Sequence, residues 1–169
     1  MQLIRCTKKL QKEMGLKERD LFESEPIEGL LGSWHANLIY INGKKCVLFV
    51  NDKTLFNFIY INLSRAEIRE LSTIFLVGLY NALASEGFSE NVIRKIIAEY
   101  ESVQYAKSNN KSVLGSMNDL AFHYKYHIQS EYNDTVPDII KRLNEMPMGA
   151  LRYKFPIDVL KDVVGKAGL

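Results

Sequence analysis

Two cysteines, three histidines, one tryptophan and four prolines in 169 residues leave several function classes without material. Cys6 and Cys46 are too few and too far apart for a secreted disulfide scaffold, and no Cys-x-x-Cys spacing offers a zinc or redox motif. Both read as buried free thiols. The longest apolar run, "IFLVGLY", falls far short of the roughly 20 residues that a membrane-spanning helix needs. The opening "MQLIRCTKKLQKE" has no long apolar segment, so no secretory signal is expected. A cytoplasmic protein that makes no membrane contact follows as the expectation.

Charge of one sign is also scarce. Lys and Arg number 22 against 20 Asp and Glu, and a net charge of +2 gives no global electrostatic case for wrapping a nucleic-acid backbone. Local basic groups remain at Lys8, Lys9, Lys12, Lys17 and Arg19, and at Arg152 and Lys154. Such groups ordinarily form solvated faces. The Gly-Lys-Ser/Thr ending of a phosphate loop, the Gly-x-Ser-x-Gly elbow, the dinucleotide glycine fingerprint and the cysteine-histidine protease motifs are all missing.

What the chain has is an ordinary globular composition, 47% hydrophobic and 25% charged, and enough length for one core without a metal or disulfide staple. "QLIRC" reads as a short strand leading through Thr7 into the helix "KKLQKEM", with Gly15 as its stop. A loop with at most one helical turn is expected from Leu16 to Ser33. "WHANLIYI" and "KKCVLFVN" flank Asn42-Gly43, a pair that tolerates positive φ at both central positions of a tight hairpin. A turn at Asn51-Asp52-Lys53 then returns the chain into "TLFNFIYINL", which makes a three-stranded antiparallel meander. The weak alternation of "KCVLFV" predicts a middle strand covered on both faces.

Ser64 and Glu67 form a capping box that opens a helix to about Ser85, stopped by Gly87. Ser89 caps the next helix, "ENVIRKIIAEYESV". "QYAKSNNK" reads as a polar connector, and Ser112 as the cap of a helix whose Val113, Met117, Leu120, Ala121, Tyr124 and Ile128 form one apolar stripe. Thr135 and Asp138 start a short helix through Leu143. "ALRYKF" reads as a short edge strand before a last helix from Pro156. The fold class expected is α+β: one domain with a small antiparallel sheet packed against several helices.

The candidate chemistry lies beside the apolar stripe. Steps of four carry the helix from Asp119 to His123 to His127, and Ser112 and Ser116 share that strip. Two histidines at that spacing could ligate a metal, but "HYKYH" lacks the Glu that follows the first His in metalloproteases, and no metal or other cofactor is assigned. His35 with His123 could instead exchange acid and base roles across a phosphodiester, with Asp119 orienting His123 and Lys125 steadying charge. "SWHAN" places Trp34 on one sheet face and His35 and Asn37 on the other. Trp34 is a core anchor in the simplest reading, and with Tyr126 it could line a pocket between sheet and helix. Asn51, Asp52 and Thr54 read as turn formers. "YKYH" and "RYKF" interleave aromatic and basic residues, a combination that also stacks on single-stranded nucleic acid.

"GSWHANLIYINGKKCVLFVNDKTLF", "NKSVLGSMNDLAFHYKYHI" and "MPMGALRYKFPI" resemble a family of small bacterial proteins catalogued as a domain of unknown function. The resemblance extends over nearly the whole chain. It implies a bacterial, intracellular, single-domain protein and assigns no catalytic residue. With no catalytic motif found, the sequence favours a binding or regulatory module with a protein or nucleic-acid partner, and leaves open a role in a toxin-antitoxin or phage-defence pair. A phosphodiester or nucleotide hydrolase built on His35, Asp119, His123 and Lys125 is the second reading, and a small-ligand pocket lined by Trp34 and Tyr126 the third. Asn37, Ser112, Ser116 and His127 are further binding candidates. Oligomeric state is left open.

Overall fold

The computed structural model describes residues 1–26, 28–130 and 133–169. Ile27, inside the expected Leu16–Ser33 loop, lies outside them. Five strands form one sheet in the order β4-β3-β2-β1-β5: β1 (Gln2–Cys6), β2 (Trp34–Ile41), β3 (Lys44–Asn51), β4 (Asn57–Leu63) and β5 (Val103–Lys107). The helices are α1 (Lys8–Met14), α2 (Arg65–Arg69), α3 (Leu71–Ser85), α4 (Glu90–Ala98), α5 (Lys111–Gln129), α6 (Val136–Asn144) and α7 (Pro156–Lys166). The fold is α+β.

The meander has a local cause. Asn42 and Gly43 take φ of 51° and 72°, the doubly positive geometry of a tight hairpin turn, and fix the register Ile41↔Lys44 through Trp34↔Asn51. β4 pairs antiparallel with β3, with an irregularity between Lys45 and Val47. Alternate residues of β3 feed two cores. Val47 and Phe49 join Trp34, Phe58, Phe75 and Tyr100 under α1, α3, α4 and α7, whereas Cys46, Leu48 and Val50 meet Val113, Met117, Leu120 and Tyr124 of α5 and Ile139 and Leu143 of α6. Helices on both faces explain why this strand reads as a nearly continuous apolar run.

Four expectations are corrected. "QYAKSNNK" is not all connector, because Val103–Lys107 forms β5, parallel to β1, while β1 is also parallel to β2. Polar Gln104 and Lys107 hid an edge strand whose pairing partner lies about a hundred residues away. The cap of α5 is Asn110, whose Oδ1 accepts from the amides of Ser112 and Val113, and not Ser112. "ALRYKF" is a 3-10 turn over Gly149–Leu151 followed by a single bridge, Met148↔Lys154. The helix from Ser64 is broken at Glu70, which separates α2 from α3. Among the described residues no helix is long and apolar enough to cross a membrane.

Candidate functional site

α5 presents two rows to two environments. On the row beside its buried stripe, Ser116, Asp119 and His123 line a pocket of about 300 Å³ with Phe122 and the segment Met146–Ala150. The spacing seen in the sequence thus brings Ser116, Asp119 and His123 together, because the turn after α6 folds back over this part of α5. His127, one turn further on, leaves the row. Its Nδ1 lies 3.5 Å from Arg142 Nη1, which also donates to Asp134 at 2.7 Å. Partial burial, then the Arg142 and His123 charges, hold the His127 imidazole below its ordinary pKa, with Asp134 opposing.

The outward row carries aromatics. Phe122 and Tyr126, four residues apart, are 67% and 60% exposed, with half-buried Lys125 between them. On β3, burial raises the Cys46 thiol pKa, opposed by backbone hydrogen bonds from Asn62 and Ile41 and then by the Lys125 charge. The 3-10 turn packs on α5, and beyond it Arg152 and Tyr153 take φ of 53° and 64°. Left-handed backbone of this kind is unfavourable for a side chain with a Cβ, by about 1–2 kcal/mol per residue. Tyr153 is 77% exposed, between exposed Arg152 and Lys154.

The remaining candidates are elsewhere. His35 is wholly buried on β2 and donates through Nδ1 to Asp52 Oδ1 at 2.7 Å. Its partner is therefore Asp52, and among the described residues no hydrogen bond or ion pair joins it to His123. Asn37 Oδ1 accepts from Thr7 Oγ1 at 2.8 Å, and exposed Ser112 only offers its amide to the α5 cap. Trp34 is wholly buried in the other core, against Phe58 and Phe75, and donates from Nε1 to Tyr100 Oη at 3.0 Å. Trp34 and Tyr126 stand on opposite sides of the sheet and do not line a common pocket. Among the described residues no three His, Cys, Asp or Glu side chains come together as a metal site.

Asp52 is the site residue that sequence reasoning misses, since the sequence reads Asn51, Asp52 and Thr54 as turn formers or a polar rim and gives Asp52 no partner. A signal was present. The two-residue hairpin sets His35 opposite Val50, and Asp52, two residues past Val50, returns to the same face beside His35.

Comparison with curated proteins finds no match. A family model described as Domain of unknown function (DUF6933) matches residues 3–159, a span that runs from β1 into α7 and contains the α5 pocket, the aromatic row and the His35–Asp52 pair. The chain belongs to this family.

Proposed function

We propose that this protein is a binding module, bacterial and cytoplasmic, whose partner is a protein docked on the aromatic and basic face of α5 and the turn beyond it. The observation that carries the reading is the exposure of Phe122 and Tyr126 one helical turn apart. Large aromatics offer wide contact area with few rotatable bonds, and they are concentrated at interfaces and depleted from ordinary surface. The consecutive left-handed residues Arg152 and Tyr153 add support. Their amides close the turn onto the carbonyls of Gly149 and Met148, and this turn leaves the Tyr153 ring in solvent.

The test replaces Phe122 or Tyr126 in turn with a photo-crosslinking phenylalanine analogue and irradiates cells that express the protein. A discrete protein adduct is expected from both positions, lost when the other aromatic is changed to Ser and absent when the analogue is placed at exposed Val77. Adducts to nucleic acid would move the reading to single-strand binding, and no adduct from either position would end it.

A second reading retains the α5 pocket. Ser116, Asp119 and His123 on one wall favour a hydrolase with His123 as acid or base, now without His35, which is committed to Asp52. Hydrolysis of bis(p-nitrophenyl) phosphate that disappears in His123→Ala would support it.

A further inference from the structure

Arg5 occupies the middle of the sheet, paired in register with His35 on one side and Ala106 on the other. It is only 9% exposed. A guanidinium carries five N–H donors and no acceptor, and when buried it is normally held by carboxylates or carbonyls at hydrogen-bond distance. Arg5 is not. Its nearest anions are Glu25, at 3.7 Å, and Asp52, at 3.9 Å, and its guanidinium makes no hydrogen bond among the described residues. Asp52 is shared: its Oδ1 accepts from the His35 imidazole at 2.7 Å, and its Oδ2 lies 3.9 Å from Arg5 Nε. Glu25 is 87% exposed, so its loose pairing is readily displaced by a better-placed anion.

The guanidinium borders a pocket of about 300 Å³ whose wall includes Gly32, Ser33, Asp52 and Lys53, with Glu25 and Glu28 at its mouth. Ser33 is buried, and its Oγ has no hydrogen-bond partner among the described residues. A guanidinium held only by two loose ion pairs and a hydroxyl without a partner among the described residues therefore border the same space. Lys53 is spoken for, donating from Nζ to the carbonyls of Gly29 and Leu30.

The charges select the ligand. The loosely paired Arg5 guanidinium suits a single carboxylate, received in the bidentate manner of arginine with a further bond from Ser33. A phosphate dianion would meet three carboxylates (Glu25, Glu28 and Asp52) against two cations (Arg5 and Lys53), whereas a ligand ammonium would be welcomed by the glutamates at the mouth. The volume matches a small molecule of metabolite size. We propose that this pocket binds a free α-amino acid, with its carboxylate on Arg5 and Ser33 and its ammonium towards Glu25 and Glu28. The site is separate from the α5 face and does not depend on the reading given to it.

The test is a titration of the full chain with each of the twenty standard amino acids, with acetate and with inorganic phosphate, followed by amide NMR shifts and thermal melting. At least one amino acid is expected to raise the melting temperature saturably and to move the amides of Ser33, Asp52 and Lys53. Arg5→Gln and Ser33→Ala should each weaken that binding at least tenfold. Ser33→Ala keeps the test valid if Arg5→Gln does not fold. Phosphate or acetate binding as tightly as every amino acid would overturn the proposal. So would the absence of a saturable response to any amino acid at 10 mM, or an affinity unchanged in Ser33→Ala and in any folded Arg5→Gln.

Discussion

Asn144 of α6 holds the edge of the sheet as a neighbouring strand would: its Oδ1 accepts from the Asn57 amide at 2.9 Å and its Nδ2 donates to the Asn57 carbonyl at 2.8 Å. Tyr124 of α5 completes the arrangement by donating to Asn57 Oδ1 at 2.6 Å. All three residues are wholly buried, so each group removed leaves another without water or partner. Asn144→Ala should therefore destabilise by about 3 kcal/mol, and Tyr124→Phe by about 1–2 kcal/mol. Urea unfolding of both variants measures this. A loss below about 0.5 kcal/mol for Asn144→Ala would mean that the edge does not need its side-chain surrogate.

Gly78 of α3 lies against the same edge strand from the opposite core. A Cβ there would sit 2.5 Å from Phe58 Cε2 and 2.9 Å from Tyr60 Cε2. In an exposed helix Gly→Ala gains about 1 kcal/mol, but here the ring of Phe58 would have to shift from its stacking on Phe49 at 5.0 Å. Overpacking should win, and Gly78→Ala should be about 1–2 kcal/mol less stable than the parent. Equal or greater stability in the same unfolding assay would show that α3 can lift from β4 at little cost.

Most local elements were legible in the sequence, and the reason is that their signals are local. Asn42-Gly43, the Ser64–Glu67 box and the Thr135–Asp138 box each specify a turn or a helix start within a few residues, and all three are present. β5 was not legible, because its strand character comes from pairing with β1 rather than from its own pattern. The same distinction governs the candidate sites. Ser116, Asp119 and His123 share one helix and could be grouped by spacing. Arg5, Ser33 and Asp52 come from three segments and meet only through the parallel β1–β2 pairing, which nothing local announces. The expected meeting of His35 with His123 needed a tertiary contact of that kind, and Asp52, close to His35 through the hairpin register, took its place.

His127 gives the protein a pH dependence of definite sign. Its folded-state pKa lies below the ordinary 6.5, through burial first and the Arg142 charge second. Between the two values the unfolded chain binds more protons than the folded one, so stability rises with pH across that window. The full contribution is present above about pH 6.5 and is lost as the pH falls to the folded value. His127→Asn should flatten the melting temperature between pH 5 and 7. Asp134→Asn, which removes the one opposing charge, should steepen it. A slope unchanged in both variants would place the dependence on another group.

Stability and binding should come apart at Tyr153. Its φ of 64° suits glycine, and its ring is largely in solvent, so Tyr153→Gly relieves backbone strain while removing little packing. The expected result is a protein as stable as the parent or up to about 1 kcal/mol more stable, an unusual direction for loss of a large aromatic. Phe122→Ser and Tyr126→Ser, also on the exposed face, should stay within about 0.5 kcal/mol of the parent. If that face is where a partner docks, the three variants should nonetheless lose the crosslinked adduct, because the lost contact area matters only in the complex. Intact folding with lost capture would assign these aromatics to recognition. Destabilisation by more than about 1 kcal/mol in all three would assign them to the fold instead, and the protein's partner would have to be sought on another surface.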